Sequence, residues 1–193
     1  MEGFLLASTI LLWVVVLVNL LLTLALIRRV NTAEPVRRSV DMQTGPAVGS
    51  QAPDFSANTL DGQQMSLDSY AGHPTALVFV GPGCQPCHEL IPSLKLLAAQ
   101  AKEAGAELVL VSNGPRDETE KMARDLAIEL PILIAPKTEN SFLTLYNISM
   151  TPSYCSLDEH GVVLGAGHPD PHDAHWQELT SGWSRQESLV ERR

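Results

Sequence analysis

One stretch near the middle of the chain restricts the fold more than any other, because a strand pattern there runs directly into a helix pattern. Thr75–Val80 has the sequence TALVFV, a continuous apolar run of the length of one strand. Such a run is typical of a strand that is covered on both faces. Gly81-Pro82-Gly83 interrupts it, and apolar residues at helical spacing then extend from Cys84 to about Ala104. The segment therefore predicts strand, turn and helix in immediate succession.

Strands and helices alternate along the rest of the chain from about residue 48. The other predicted strands are two short ones on either side of an Asp61-Gly62 turn, Glu107–Ser112, Pro131–Ala135, Ser153–Leu157 and Val162–Gly165. The other predicted helices are Arg116–Leu126, Asn140–Tyr146 and a final one with Trp176, Leu179, Trp183 and Val190 on one face. This alternation predicts an α/β fold with a central mixed sheet flanked by helices.

The N-terminal region contains a long apolar run, Phe4–Ile27, which has 24 residues and no charge. As a helix it is about 36 Å long, enough to cross a hydrocarbon core of about 30 Å. A signal peptide has a basic start and a shorter apolar region, whereas this chain starts Met-Glu-Gly and has Arg28-Arg29 after the run. The sequence thus predicts one retained transmembrane helix over residues 4–27.

Composition divides the remainder of the chain into a linker, a folded domain and a tail. Residues 28–47 have no apolar periodicity and are predicted to be a linker. We predict a folded domain over residues 48–168 and a helical tail over residues 169–193. Residues 41–193 carry nine basic and twenty acidic side chains, a net charge of −11. Nucleic acid is excluded as a partner, because phosphate binding requires a basic surface.

The segment Cys84-Gln85-Pro86-Cys87-His88 fits two kinds of chemistry, a redox dithiol and the attachment of a c-type haem. A haem site needs a distal ligand in a mostly helical chain, which the strand–turn–helix surroundings do not match. At the start of a helix, free N–H groups and the helix dipole stabilise a thiolate, the nucleophile of disulfide exchange. We predict that Cys84 is the exposed nucleophile, that the less exposed Cys87 resolves the mixed disulfide, and that His88 lies on the helix surface.

Several motifs lie around the dithiol: Ala52-Pro53-Asp54-Phe55, Leu60-Asp61-Gly62, Cys84–Cys87, Pro92 five residues after the second cysteine, Thr151-Pro152 and Leu157–Val163. Together they resemble the TlpA-like group of membrane-anchored thioredoxin-fold proteins. The resemblance covers roughly residues 48–165. Within the group the chain resembles the MauD type of methylamine utilisation, through Gly45–Gly49, Cys87–Pro92 and Val111–Pro115.

The resemblance implies a thioredoxin-like fold in which the Cys84–Cys87 disulfide is the redox-active centre, with no other cofactor and no metal. It implies that Thr151 and Pro152 form a cis-proline pair that faces the dithiol, where an extended substrate segment binds. It also implies that the active-site helix depends on three further residues. They are Gln85, Pro86 and Pro92.

The same resemblance implies a set of partners and a location. The partners are a protein dithiol or disulfide, the membrane, and a membrane electron donor or acceptor. The MauD type is associated with maturation of the disulfide-rich small subunit of an amine dehydrogenase. The group places the soluble domain on the periplasmic side of the cell membrane. Four arginines after the anchor favour the cytoplasm by the positive-inside rule, but we follow the resemblance, because disulfides persist outside the cytoplasm.

The chain departs from the family at three positions around the dithiol. The buried acidic residue that thioredoxin has six positions before the first cysteine is Val78 here, and the preceding Trp is Gly83. A Glu that is common three residues after the second cysteine is Leu90 here. A buried carboxylate that accepts the proton of Cys87 is therefore not assured.

Two other function classes stay open at this point. A peroxiredoxin-like peroxidase shares the entry hairpin, but its motif has Thr where this chain has Gly81. A non-enzymatic metal or haem carrier uses the dithiol together with a histidine. Five metal-ligating side chains cluster near the C-terminus, and we interpret them as a solvated polar connector. They are His168, Asp170, His172, Asp173 and His175. Cys155 is expected to be a buried structural thiol.

Overall fold

The computed structural model describes Gly3, residues 12–21, Thr23 and residues 44–190, with side chains up to residue 184. The chain divides into two units, Met1–Met42 and Gln43–Arg193. In the first unit, residues 12–21 are helical and exposed. Within these described ranges, no helix combines the length and the apolar character that a membrane crossing needs. Most of the anchor predicted over residues 4–27 and of the predicted linker lies outside them.

A seven-stranded mixed sheet forms the centre of the second unit. In chain order its strands are β1 (Ser56–Thr59), β2 (Gln64–Ser66), β3 (Thr75–Val80), β4 (Glu107–Ser112), β5 (Ile132–Ile134), β6 (Ser153–Leu157) and β7 (Val163–Gly167). Their order in space is β2-β1-β5-β4-β3-β6-β7. Strand β3 is parallel to β4 and antiparallel to β6, and all six of its residues are buried. Its interior position explains the continuous apolar run in the sequence.

Four α-helices flank the sheet, as the alternating pattern predicts. They are α1 (Gln85–Glu103), α2 (Arg116–Asp125), α3 (Phe142–Leu145) and α4 (Ala174–Val190), with a 3-10 helix at Leu67–Tyr70. The predicted bounds of β3, β4 and β6 agree with the structure. The predicted β5 and α3 were too long at both ends, and β7 begins one residue later and ends two residues later than predicted.

Side chains of β3 alternate between two buried clusters, one on each face of the sheet. Leu77 and Phe79 belong to the first cluster, which contains the aromatic group of Phe55, Phe79, Phe142 and Tyr146. Val78 and Val80 belong to the second cluster, together with residues of α1 and α4. In that cluster Cys87 and Ile91 come from α1, and Trp176 and Trp183 from α4. The buried half of the dithiol is therefore part of a hydrophobic core.

Helix α4 packs against the domain through its two tryptophans, in agreement with the apolar face seen in the sequence. Trp176 and Trp183 are 5% and 6% exposed, and Leu179 is half-buried beside them. The side chain of Val190 lies outside the described side chains. Removing a buried Trp side chain costs about 3–5 kcal/mol of stability, so the burial of these two residues helps to attach α4 to the domain.

Candidate active site

The dithiol lies at the carboxyl end of β3, where residues 81–83 lead into α1. Cys84 is the N-cap of α1 and has extended backbone angles, φ −96° and ψ 99°. Its Sγ accepts the backbone N–H of Cys87 at 3.2 Å, and its carbonyl oxygen accepts the N–H of Cys87 and of His88. The first turn of α1 thus directs a donor and its partial positive charge toward this sulfur. Negative charge on the Cys84 sulfur is stabilised there.

Cys84 and Cys87 are joined by a disulfide, with an S–S distance of 2.02 Å and a Cα–Cα distance of 5.2 Å. Cys84 is half-buried, whereas Cys87 is 0% exposed. An approaching thiolate therefore meets the sulfur of Cys84 before that of Cys87. The order of exposure agrees with the order expected from the sequence. The bond between the two sulfurs is the oxidised form of a dithiol.

The loop before β6 brings the backbone of Thr151 to the dithiol. The Thr151–Pro152 peptide bond is cis, and both residues are half-buried. The carbonyl oxygen of Thr151 lies 3.4 Å from the Sγ of Cys84. The Thr151 N–H donates no hydrogen bond within the described part of the chain. Thr151, whose N–H is free within the described residues, thus contacts the Cys84 sulfur through its carbonyl oxygen, while the binding of substrate at this loop stays a prediction.

The turn that precedes the dithiol packs against the loop that follows β4. A Cβ atom on Gly81 would lie 2.6 Å from Oδ1 of Asn113, and one on Gly114 would lie 2.5 Å from Cγ of Pro82. Ser112 Oγ accepts the N–H of Gly114 at 3.3 Å and holds that loop in place. A peroxidatic motif places Thr at the position of Gly81, and no space exists for it unless Asn113 moves.

The three residues expected to support the active-site helix are all exposed at its N-terminal half. Gln85 Nε2 donates to Oε1 of Glu89 at 3.1 Å, one turn further along α1. Pro86 stands in the first turn, where its missing N–H leaves no hydrogen bond unmade. Pro92 lies inside α1 and cannot donate to the carbonyl of His88. The structure places these residues on one helix with the dithiol, and their supporting role stays a prediction.

A buried carboxylate next to Cys87 is missing from the described residues. The buried polar side chains there are all hydroxyls: Thr44, Thr75, Ser112, Thr119, Ser153 and Ser156. Val78 is 0% exposed, and Glu89 is exposed. Asp173 is half-buried, and it accepts the hydroxyl of Tyr154 at 2.7 Å. The doubt raised by Val78 and Leu90 in the sequence is therefore justified for the described part of the chain.

His88 differs from its prediction as a helix-surface residue. It is half-buried, and its Nε2 is inaccessible and has no hydrogen-bond partner among the described residues. The reason is that the end of α2 covers this side of α1, since Lys95, two turns further along α1, donates to the carbonyl of Leu126 at 2.6 Å. The sequence of α1 alone does not show which of its sides α2 covers.

Cys155 on β6 is a free, buried thiol in the first cluster, as expected. Burial raises its pKa from 9.0 to about 12, so it stays protonated at neutral pH. Cys87 belongs to the second cluster, on the opposite face of the sheet. Cys155 is therefore separated from the dithiol and does not contribute to its chemistry.

The C-terminal histidines do not form a metal centre in the described residues, where no three potential ligands converge. His168 instead contacts the loop beside the dithiol, with Nδ1 2.8 Å from the carbonyl oxygen of Pro152. Sequence reasoning missed this contact. The signal that could have revealed it is the β6–β7 hairpin, because antiparallel pairing brings residues just before β6 next to those just after β7.

Comparison with known proteins places these observations in a family. A model of the AhpC/TSA family matches residues 48–165. Methylamine utilization protein MauD of Paracoccus versutus is 32% identical over 170 residues, which cover 85% of this chain and 82% of that protein. Thiol-disulfide oxidoreductase ResA of Geobacillus kaustophilus is 34% identical over 122 residues, which cover 63% of this chain and 69% of that protein.

A solved structure shows the same fold. The crystal structure of the thioredoxin domain of a thiol-disulfide oxidoreductase from Bacteroides vulgatus superposes with a TM-score of 0.60. The match covers 75% of this chain and 99% of that domain, at 20% sequence identity. At this identity the likeness supports the fold alone, and it confirms the thioredoxin-like α/β architecture expected from the sequence.

Proposed function

Because this chain belongs to the AhpC/TSA family and is a thioredoxin-like thiol-disulfide oxidoreductase, we propose that it acts while tethered to a membrane, on a protein substrate outside the cytoplasm. The observation that carries the proposed chemistry is the environment of one sulfur. Cys84 Sγ lies 3.2 Å from the N–H of Cys87 and 3.4 Å from the carbonyl oxygen of Thr151, and its disulfide partner is buried.

The oxidised form reacts by two successive thiol–disulfide exchanges. A substrate thiolate attacks Sγ of Cys84, the Cys84–Cys87 bond breaks, and Cys87 leaves with the electron pair and takes up a proton. A second substrate thiolate then attacks the substrate sulfur of the mixed disulfide, and Cys84 leaves as a thiolate. Two electrons pass from the substrate to the dithiol, and the reverse sequence reduces a substrate disulfide.

The start of α1 favours the steps in which Cys84 carries negative charge. The Cys87 N–H already donates to Sγ of Cys84 in the oxidised form, and the same donor stabilises the thiolate that leaves in the second exchange. Hydrogen bonds to an ionised group are roughly twice as strong as those between neutral groups. Cys84 is therefore suited to be both the attacked sulfur and the leaving thiolate.

The N–H of Thr151, which donates no hydrogen bond within the described part of the chain, favours an extended polypeptide as the substrate. A segment that places its sulfur on Cys84 can add a backbone hydrogen bond at Thr151, in the manner of an added strand. A small disulfide has no such backbone. Protein dithiols or disulfides are thus the proposed substrates.

The proposed tether is the uncharged run Phe4–Ile27, which is long enough as a helix to cross a bilayer. We place the domain outside the cytoplasm, where disulfides persist, against the preference of the four arginines after the run. A cysteine introduced near residue 40 of a Cys-free full chain tests this in intact cells. Labelling by a membrane-impermeant maleimide supports the location, and labelling only after lysis contradicts it.

The small subunit of an amine dehydrogenase is the proposed substrate, and a membrane protein is the proposed electron donor or acceptor. The support for this substrate is the similarity to MauD, a methylamine utilization protein, over 85% of the chain. The disulfides of such a subunit form and rearrange by attack of a thiolate on a disulfide, which is the reaction proposed for Cys84.

Trapping of the mixed disulfide tests the proposed chemistry and the substrate together. In the full chain with Cys87→Ser, the Cys84 thiolate attacks a substrate disulfide, and no Cys87 thiol is present to release the substrate sulfur that becomes bonded to Cys84. We expect an adduct that disappears under reducing conditions, and mass spectrometry identifies its partner. Cys84→Ser is the matched control and yields no adduct. If Cys87→Ser and Cys84→Ser trap equal amounts of protein, the proposed mechanism is wrong.

A further inference from the structure

His168 makes a side-chain contact that reaches the active site from the far end of the β6–β7 hairpin. It follows β7 directly, is exposed, and lies 16 residues beyond Pro152. Its Nδ1 is 2.8 Å from the carbonyl oxygen of Pro152. A carbonyl oxygen can only accept a hydrogen bond, so Nδ1 carries the proton. The tautomer of the neutral ring is thereby fixed.

The carbonyl that His168 binds lies beyond the ends of the sheet ladders. The β3–β6 register ends with Phe79 opposite Ser153, and the β6–β7 register ends with Tyr154 opposite Gly167. Pro152 precedes both ends, so its carbonyl has no partner in a neighbouring strand. Within the described part of the chain, its hydrogen bond comes from His168.

Two side chains therefore hold the loop that faces the dithiol. Ser153 Oγ donates to the carbonyl of Met150 at 2.8 Å, on one side of Thr151. His168 holds Pro152 on the other side. Between these two attachments, the carbonyl of Thr151 approaches Sγ of Cys84 to 3.4 Å. The position of the Thr151 backbone relative to the sulfur thus depends on both.

We propose that His168 is a positioning residue for disulfide exchange with protein substrates. By donating its Nδ1–H to Pro152, it holds the backbone of Thr151, whose carbonyl lies 3.4 Å from Sγ of Cys84, in the position at which an extended substrate segment pairs with it. This inference rests on the proposed function and adds a residue to the same site. Loss of the bond lets the loop move and impairs reactions that use the Thr151 backbone, while the chemistry of the two sulfurs is unaltered.

Three substitutions separate this role from a contribution to stability. The amide nitrogen of Asn lies near the place of the histidine Nδ1, whereas that of Gln lies near the place of Nε2. We expect His168→Asn to retain the hydrogen bond, and His168→Ala and His168→Gln to lose it. His172→Ala is the control, because His172 is exposed in the same segment and has no side-chain hydrogen bond among the described residues.

The reduced full chain in detergent is oxidised either by the disulfides of insulin or by hydroxyethyl disulfide. The second-order rate constant of each reaction is measured. With insulin, we expect His168→Ala and His168→Gln to react about threefold to tenfold more slowly than the wild type, the effect of one ordinary hydrogen bond. With hydroxyethyl disulfide all four variants react like the wild type, because that oxidant has no backbone to pair with Thr151. Circular dichroism verifies that each variant is folded.

The outcomes distinguish the two proposals. If the wild type reacts with neither insulin nor hydroxyethyl disulfide, the proposed function fails and this inference fails with it. If the wild type reacts with hydroxyethyl disulfide alone, this inference is wrong. If the wild type reacts and His168→Ala reacts equally fast, the inference alone is wrong. The inference is also wrong if His168→Asn reacts with insulin as slowly as His168→Gln does. It is wrong as well if a His168 variant reacts more slowly with both oxidants by the same factor. The inference is supported if His168→Gln reacts more slowly with insulin alone while His168→Asn reacts like the wild type. This comparison holds even if His168→Ala does not fold.

Discussion

Cys87 donates its backbone N–H to the Sγ of Cys84 over 3.2 Å, so the residue expected to resolve the mixed disulfide also holds the sulfur that reacts first. The contact comes from the first turn of α1, where Cys84 is the N-cap residue. The same turn buries the sulfur of Cys87 in the second cluster. One local structure thus assigns different exposure to two chemically identical side chains.

The three thiols of the reduced protein should react with iodoacetamide in a definite order. Cys84 reacts first because it is partly exposed, and Cys87 reacts more slowly because it is 0% exposed. Cys155 stays unlabelled, since burial raises its pKa from 9.0 to about 12 and leaves about a thousandfold less thiolate than an ordinary thiol has. Peptide mass spectrometry of a time course at pH 7 measures the order. Labelling of Cys155 as fast as Cys84 would contradict the structure.

Stability should fall steeply at alkaline pH, because buried groups, among them Cys155 and Tyr70, keep their protons longer in the folded state. Burial raises the pKa of Cys155 from 9.0 to about 12, and burial and the charge of Glu107 raise that of Tyr70 from 10.0 to about 12. The unfolded state loses the proton of Cys155 first above pH 9 and that of Tyr70 first above pH 10. The free energy of unfolding then decreases by about 1.4 kcal/mol per pH unit for each group.

Urea unfolding of residues 41–193 between pH 8 and pH 11 measures this slope. Cys155→Ala should flatten it above pH 9, and Tyr70→Phe above pH 10, relative to the parent fragment. Each variant is compared with its own stability at pH 8, so that the loss of packing does not enter. Slopes that are the same in all three proteins would show that these groups titrate alike in the folded and unfolded states.

Gly114→Ala should destabilise the domain and slow disulfide exchange. The added Cβ would lie 2.5 Å from Cγ of Pro82, a rigid ring two residues before Cys84. Overpacking of this kind costs about 1–3 kcal/mol. A displaced Pro82 also displaces the turn that leads into the dithiol. Gly182→Ala in α4 is the control, because its Cβ meets nothing within 4 Å and Ala favours a helix over Gly by about 1 kcal/mol. Equal stability of the two variants would refute the close contact.

The hydrogen bond between Tyr154 and Asp173 should contribute to the attachment of α4. Tyr154 donates its hydroxyl to Oδ1 of Asp173 at 2.7 Å, and the N–H of Trp176 donates to the same oxygen at 2.8 Å. Tyr154→Phe should cost about 1.5–3 kcal/mol, the range for a bond to a charged group. Asp173→Asn should cost a similar amount. A double-mutant cycle in urea measures the coupling, and strictly additive effects would mean that the two side chains do not interact.

The parts of the fold that depend on local pattern were predictable from the sequence. The bounds of β3 follow from one uninterrupted apolar run, and the relative exposure of Cys84 and Cys87 follows from their places before and within the first turn of α1. The end of strand β7 was harder to predict, because the strand ends in Gly-Ala-Gly, residues with little β-propensity. A register shift between Ser156 and Leu157 also moves its pairing.

The contacts between distant segments could not be derived from pattern. The burial of His88 depends on where the end of α2 lies against α1, and the bond from His168 to Pro152 depends on the β6–β7 register. Neither is encoded in a short motif. The sequence did show the absence of an acidic residue at Val78, since a departure from a family motif is visible without any structure.

A redox titration of the full chain tests the central claim most directly. The protein is equilibrated in dithiothreitol or glutathione buffers of graded potential, and its free thiols are trapped with a mass-adding reagent and counted by gel shift. The account predicts one two-electron transition in which the free thiols of Cys84 and Cys87 appear and disappear together. Cys155→Ala should leave this transition unchanged. If Cys84 and Cys87 show no transition, or titrate as two independent thiols, the dithiol is not the redox centre and the proposed function is wrong.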